Sequence, residues 1–242
     1  MTLALGAAAV LVAALVKGAI GFGFPTLATP LLSLVIDVQS AVVLLIVPNI
    51  AMDAIQLRRR GSPAAVARRF GLLLVAGSAG TVVGTRLLLG LSPRTAGLVL
   101  SAVILLFVLA SAAGLSLRIP ARWEPWASPV AGLAIGIIGG ITNVPGTPQV
   151  MYFRALGLGK DEFVSAVAFT FVVYKAAQLA AVLYYGLVTW PIVAGTAALT
   201  AVALGGFALG LKVQDRLEPD AFNRAVLGFL AVVGVWLLWR SL

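Results

Sequence analysis

Three ionisable residues, Lys17, Asp53 and Lys175, stand inside long apolar runs of this 242-residue chain. A charge at the middle of a membrane span costs at least ~2.5–3.5 kcal/mol, so such a residue is a functional candidate by default. Other polar groups gather at corresponding places along the chain. Gln56 and Gln178 follow Asp53 and Lys175 by three residues, and Thr142, Asn143 and Thr147 accompany Pro148 in the stretch G-G-I-T-N-V-P-G-T-P-Q. A matching stretch, G-A-I-G-F-G-F-P-T-L-A-T-P, carries Gly21, Gly23, Thr29 and Pro30. These side chains can bind a polar solute; they are not equipped to make bonds. The chain has no cysteine and no histidine, which removes thiol chemistry, the commonest transition-metal ligand and the usual proton shuttle. No nucleophile–base set, carboxylate pair or phosphate-binding G-x4-G-K-[ST] motif appears. An enzyme, a cofactor and a resident metal are therefore not expected.

Each candidate has a plainer reading beside it. Asp53 lies five residues before Arg58, so an exposed helix end or a local Arg58 partner would explain it. Lys175 lies deeper, fourteen residues past Asp161, and a Lys175–Asp53 pair is a further option. Gln56 and Gln178 either line a cavity or tie helices together, and Asn49 has the same two readings. Gly132, Gly136 and Gly140 form a small-xxx-small ladder that suits close helix packing. Gly21, Gly23 and Gly139 are expected to expose backbone instead, and Pro48 to kink a span.

The elements that must hold these groups are membrane helices. The chain is 61% hydrophobic and 10% charged, with a mean hydropathy of +1.09. A soluble domain carries about 25% charged residues, so this chain has too few to cover a watery surface. Apolar segments run over 2–36, 39–57, 70–90, 94–115, 127–157, 161–186, 189–211 and 220–240, the first interrupted at 21–30 and the fifth at 139–148. The formal charge of +9 is read as topology signal beside helix ends, because no stretch interleaves aromatics with basic residues as nucleic-acid surfaces do. Lys17, the first positive charge, follows the first apolar run, the reverse of a signal peptide.

Two halves are legible. Gly21, Thr29 and Pro30 match Gly139, Thr147 and Pro148 at an offset of 118; Gln56-Leu57 matches Gln178-Leu179 at 122. Gly84-x-Arg86-x4-Leu91-x-Pro93 matches Gly210-x-Lys212-x4-Leu217-x-Pro219 at 126. The common order defines repeats over 1–116 and 117–242. Loop 57–69 carries five arginines and its counterpart at 186–190 none, so the partner loops face opposite sides and the repeats are inverted. The expected fold is all-α and polytopic, with three full spans and one broken, re-entrant helix per repeat. Most basic loops, with Arg118, Arg122, Arg154, Lys160, Lys212, Arg216 and Arg224, then lie inside, and both termini lie outside. One tension is that 2–20 is long enough to cross whereas 127–141 is not.

Paired interrupted segments point to a transporter's binding site. Proline suits the first turn of a helix, so half-helices are expected to begin after Pro25 and after Pro145 or Pro148. Their free N–H groups and positive dipole ends would favour an anion, and Lys17 would add a formal charge. Tyr184, Tyr185 and Trp190 read as interfacial anchors.

The stretches K-G-A-I-G-F-G-F-P-T-L-A-T-P-L-L at 17–32, G-L-A-I-G-I-I-G-G-I-T-N-V-P-G-T-P at 132–148 and R-A-L-G-L-G-K-D-E-F at 154–163 resemble the sulfite exporter TauE/SafE family of membrane permeases. The resemblance covers essentially the whole chain, although the second break is less glycine-dense than the family's motif. It implies transport of sulfite or an organosulfonate across a bacterial inner membrane, often outward. Expected partners are a small anionic substrate, protons as coupling ion and the lipid bilayer, with a homodimer left open. The competing readings are a permease for a cation or metal, a transporter of another small organic anion, and a non-transport protein, either a membrane enzyme or a scaffold.

Overall fold

The computed structural model describes residues 2–60, 62–113, 118–213 and 219–242. The repeat boundary at 116/117 and Arg216 lie outside these residues, as do the side chains of Thr147, Lys160 and Arg224. Eleven α-helices and one short 3-10 turn (Ala121–Trp123) follow one another among the described residues, with no strand. They are α1 (Thr2–Ile20), α2 (Phe24–Ser33), α3 (Val38–Arg60), α4 (Pro63–Arg69), α5 (Gly71–Gly90), α6 (Pro93–Ala112), α7 (Glu124–Thr142), α8 (Gly146–Ala155), α9 (Lys160–Tyr184), α10 (Trp190–Val213) and α11 (Pro219–Ser241). Six helical stretches are long and apolar enough to cross a membrane, by length and composition. A multi-pass membrane protein follows. The long helices are apolar on nearly every face, as lipid requires, and outward positions such as Val75, Leu106 and Val232 stand exposed.

Local sequence explains most of the boundaries. Proline occupies the first turn of α2, α4, α6 and α7, where its missing N–H is no loss. Ser92 caps α6 by accepting the Thr95 N–H at 3.1 Å. Two expectations on length need correction. The breaks are shorter than the interruptions read at 21–30 and 139–148: only 21–23 and 143–145 leave the helix. Thr29 and Pro30 therefore lie within α2, Pro148 lies in the first turn of α8, and Thr142 closes α7. The expectation that the fifth segment is too short also fails. With Glu124 and Pro125 as its first turn, α7 has 19 residues, the same as α1, or about 28 Å at 1.5 Å per residue.

Glycines let two helix pairs touch at their backbones. A Cβ at Gly136 would lie 2.1 Å from the Gly77 carbonyl oxygen, and one at Gly140 2.5 Å from that of Thr81. With Gly132 against Leu73, these contacts run in register along α5 and α7, so the two helices are parallel. The ladder at 132, 136 and 140 is a packing stripe, as its spacing predicts. α1 packs on α10 in the same way. A Cβ at Gly210 would lie 2.1 Å from the Leu15 carbonyl oxygen, and one at Gly206 2.6 Å from that of Leu11.

Each broken helix folds back as a hairpin. The Ile119 N–H donates to the Ala155 carbonyl at 2.8 Å, so the chain leaves α8 beside the place where it enters α7. In the first pair, Gly6 of α1 abuts Leu32 of α2. Arg240, in the last turn of α11, donates to the carbonyl of Leu34 at 2.7 Å, and Arg94 binds the carbonyls of Ser241 and Leu242. At the opposite end, Arg69 bridges Glu124 of α7 and Glu162 of α9.

Candidate functional site

Both breaks are built from residues that accept a left-handed backbone. At the first, Gly21 and Gly23 have φ of 98° and 96°. A Cβ on Gly23 would meet nothing within 4 Å, so glycine is needed there for its conformation and not for room. At the second, Asn143 takes φ 62° and ends α7 by donating its N–H to the Gly139 carbonyl at 2.8 Å. Asparagine is among the few side chains that tolerate this region. Thr142 steadies the same corner: its hydroxyl donates to the Ile138 carbonyl at 2.7 Å and accepts the Val144 N–H at 3.1 Å.

The side chains at the first break form one buried group. Lys17, one turn before the break, donates to Asp53 Oδ1 of α3 at 2.6 Å, and both side chains are 0% exposed. The Lys17 Nζ also stands 5.6 Å from the centroid of the Phe171 ring of α9, within cation–π range. Gln56, one turn further along α3, donates its amide to the Gly21 carbonyl, which the break has freed from the helix ladder.

A second group surrounds the second break. Lys175 of α9 donates to Asn143 Oδ1 and to Gln178 Oε1. Asn143 passes the connection on by donating Nδ2 to the Thr29 hydroxyl of α2 at 2.8 Å. Gln178 donates to the Gly140 carbonyl at 3.3 Å. Thr29, Asn143, Lys175 and Gln178 are all buried.

The half-helix starts lie together. A Cβ on Gly146, the first residue of α8, would fall 3.1 Å from the Thr26 hydroxyl in the first turn of α2, and 3.9 Å from the Phe171 ring. First-turn N–H groups have no intrahelical partner, and each helix start carries roughly half a positive charge. The formal charges add to this. Asp53 is balanced by Lys17, whereas Lys175 is held by two neutral amide oxygens. With both lysines protonated, the assembled centre would carry one net positive charge. Several polar atoms in it lack a partner among the described residues: both side-chain atoms of Asn49, Asp53 Oδ2 and Gln56 Oε1. Asn49, Asp53 and Gln56 sit at i, i+4 and i+7, on one face of α3. Buried polar atoms are seldom left orphaned.

The structure brings Lys17, Gly21, Thr29, Gln56, Asn143, Lys175 and Gln178 into these two groups. Gly23 borders the first break, while Pro30 and Pro148 shape α2 and α8 from inside them. Three expectations are overturned. Asp53 is neither at an exposed helix end nor paired with Arg58, because α1 delivers Lys17 to it. The Lys175–Asp53 pair does not form either, since Asn143 and Gln178 take the Lys175 ammonium. Gly139 does not expose backbone: it lies inside α7, where a Cβ would strike the Pro145 ring at 2.8 Å. Reading the sequence missed Thr26 and Phe171. Thr26 had a signal, a hydroxyl directly after Pro25 at a helix start; Phe171 had none, being one aromatic in an apolar run.

A protein-family model described as "Sulfite exporter TauE/SafE" matches residues 6–237. No curated protein and no solved structure matches the chain.

Proposed function

The chain belongs to the sulfite exporter TauE/SafE family, and on that premise we propose that it exports a small oxyanion, sulfite or an organosulfonate, across a bacterial inner membrane. The observation that carries the site is the setting of Lys175. Its ammonium is buried, its acceptors among the described residues are neutral amides, and one of them, Asn143, is the corner of a broken helix. A cation in that position lacks a counter-ion, and an anion arriving at the half-helix starts would supply one. Lys175, Asn143, Thr29, Thr142 and Gln178 would hold it on one side. Lys17, Gln56 and the backbone around Gly21 and Gly23 would close the other, with Pro30 and Pro148 setting the two half-helices.

The moving parts would be two inverted repeats, 1–116 and 117–242, rocking against each other in alternating access. The parallel pairing of α1 with α10 and of α7 with α5 supports this reading, because each repeat's first helix packs on the other repeat's glycine-bearing span. α1–α2 and α7–α8 would be re-entrant hairpins entering from opposite sides. Arg58, Arg59, Arg122 and Arg154, exposed near one end of the bundle, would mark the cytoplasmic face. The C-terminus, bound by Arg94, would lie outside with the N-terminus.

A cation permease would have to rest on Asp53, whose charge Lys17 already neutralises. Sulfite flux into proteoliposomes tests the proposal. Saturable flux that vanishes in Lys175→Ala is expected; unchanged flux in that variant removes Lys175 from the site. Single cysteines at 60 and 186 test the topology, and labelling of both from one side would refute inversion.

A further inference from the structure

The Lys17–Asp53 pair stands at the place where the anion is expected. The Phe171 ring lies under the Lys17 ammonium and also bounds the start of α8 at Gly146, which faces Thr26 in the first turn of α2. In the structure, the anion that Lys17 holds is the Asp53 carboxylate. Its second oxygen, Oδ2, is buried without a partner among the described residues. The groups facing Asp53 are few. Lys17 reaches it from α1, and α9 contributes Lys175, held by Asn143 and Gln178. α2 has no titratable residue, the charged residue of α10 is the exposed Lys212, and that of α6 is Arg94, engaged with the C-terminus. On α3 itself, Arg58 and Arg59 are exposed beyond Gln56.

A substrate anion approaching Lys17 therefore meets a carboxylate already in contact with the same ammonium. Two anions sharing one site cannot both stay ionised without a large cost. We propose that Asp53 takes up one proton with each bound anion, freeing Lys17 for the substrate. The proton adds to the unpartnered Oδ2, the Lys17–Asp53 ion pair opens, and the anion replaces the carboxylate at Nζ. No covalent bond to carbon changes. With Lys175 counted, the centre carries one positive charge before the exchange, and Lys17, Lys175, protonated Asp53 and a sulfite dianion are neutral after it. Proton and anion are thereby bound together, which makes Asp53 the coupling residue of a symport that runs outward when the anion gradient exceeds the opposing proton gradient. The inference rests on the anion-transporter reading.

The test uses the full chain in nanodiscs with sulfite as probe, at an alkaline pH where sulfite itself carries no proton. Calorimetry in two buffers of different ionisation enthalpy counts protons taken up on binding. Wild type should take up about one proton per sulfite, with affinity weakening about tenfold per pH unit, as linkage requires. Asp53→Asn, which keeps an oxygen for Lys17, should take up none and bind with flat pH dependence, and Asp53→Glu should restore the uptake. Equal proton counts in wild type and Asp53→Asn would overturn the proposal. Failure of wild type to bind sulfite would count against the substrate instead. In that event an infrared titration decides, with sulfate as the anion. A carboxylic acid C=O band that grows on adding sulfate and is missing in Asp53→Asn supports the coupling role. A carboxylate that stays ionised until the protein unfolds overturns it.

Discussion

The two breaks occupy corresponding places in the chain but carry their charges differently. At the first, the cation Lys17 lies on the broken segment and its counter-charge Asp53 lies on α3. At the second, the cation Lys175 lies on α9, the counterpart of α3, and the broken segment answers with the neutral Asn143. The backbone devices differ as well, with two left-handed glycines in one and a left-handed asparagine in the other. The two breaks thus differ in electrostatic role. One holds its cation against a carboxylate; the other holds its cation against neutral amide oxygens.

The largest expected effect separates these roles by stability. Asp53→Leu alone strands the buried Lys17 ammonium and should cost ~3–5 kcal/mol, while Lys17→Met combined with Asp53→Leu should be near neutral. Thermal unfolding in detergent measures both, and equal losses would break the distinction. Lys175→Met should do the reverse. It removes an unbalanced charge, so stability should not fall, while sulfite flux drops by about 100-fold, as for loss of a desolvated charge partner. A parallel loss of melting temperature would show that Lys175 is structural. A third contrast concerns the backbone. Gly23→Ala meets open space but a left-handed φ, and should cost ~1–2 kcal/mol. Asn143→Gly keeps the conformation but loses the Lys175 and Thr29 partners, so flux should fall more than stability.

The smallest effect lies at the Arg-rich end. Hydrogen bonds to Glu124, followed by those to Glu162, raise the Arg69 guanidinium above its ordinary range. A raised group contributes stability that is complete below its unfolded value and is lost only as pH climbs through the folded one. Both lie far above neutrality, so this bridge should give no pH dependence across the neutral range. Arg69→Gln should cost no more than about 1 kcal/mol, the worth of a partly exposed pair. A pH dependence of transport that disappeared in Arg69→Gln would move the coupling away from Asp53.

Several features were legible before any coordinates. The helix breaks announced themselves through Gly21, Gly23 and Pro25 in one place and Asn143, Pro145 and Pro148 in the other, because these residues end or begin helices by local sterics. The packing role of Gly132, Gly136 and Gly140 followed from spacing alone. The extent of α7 was not seen, because Glu124-Pro125 sits in a polar stretch that reads as loop, although it also makes a good first turn. The position of Asp53 was misjudged for a different reason. Its nearest arginine in sequence is Arg58, but its partner in space is 36 residues away.

Composition and local punctuation therefore settled, by themselves, that this chain is an all-helical membrane protein with two broken helices and buried charges. These properties depend on hydropathy and backbone sterics, which act over a few residues. Tertiary structure alone decided which charge neutralises which. An ion pair forms between side chains brought within contact by helix packing, and no spacing along the chain specifies that Lys17 meets Asp53 while Lys175 meets Asn143 and Gln178.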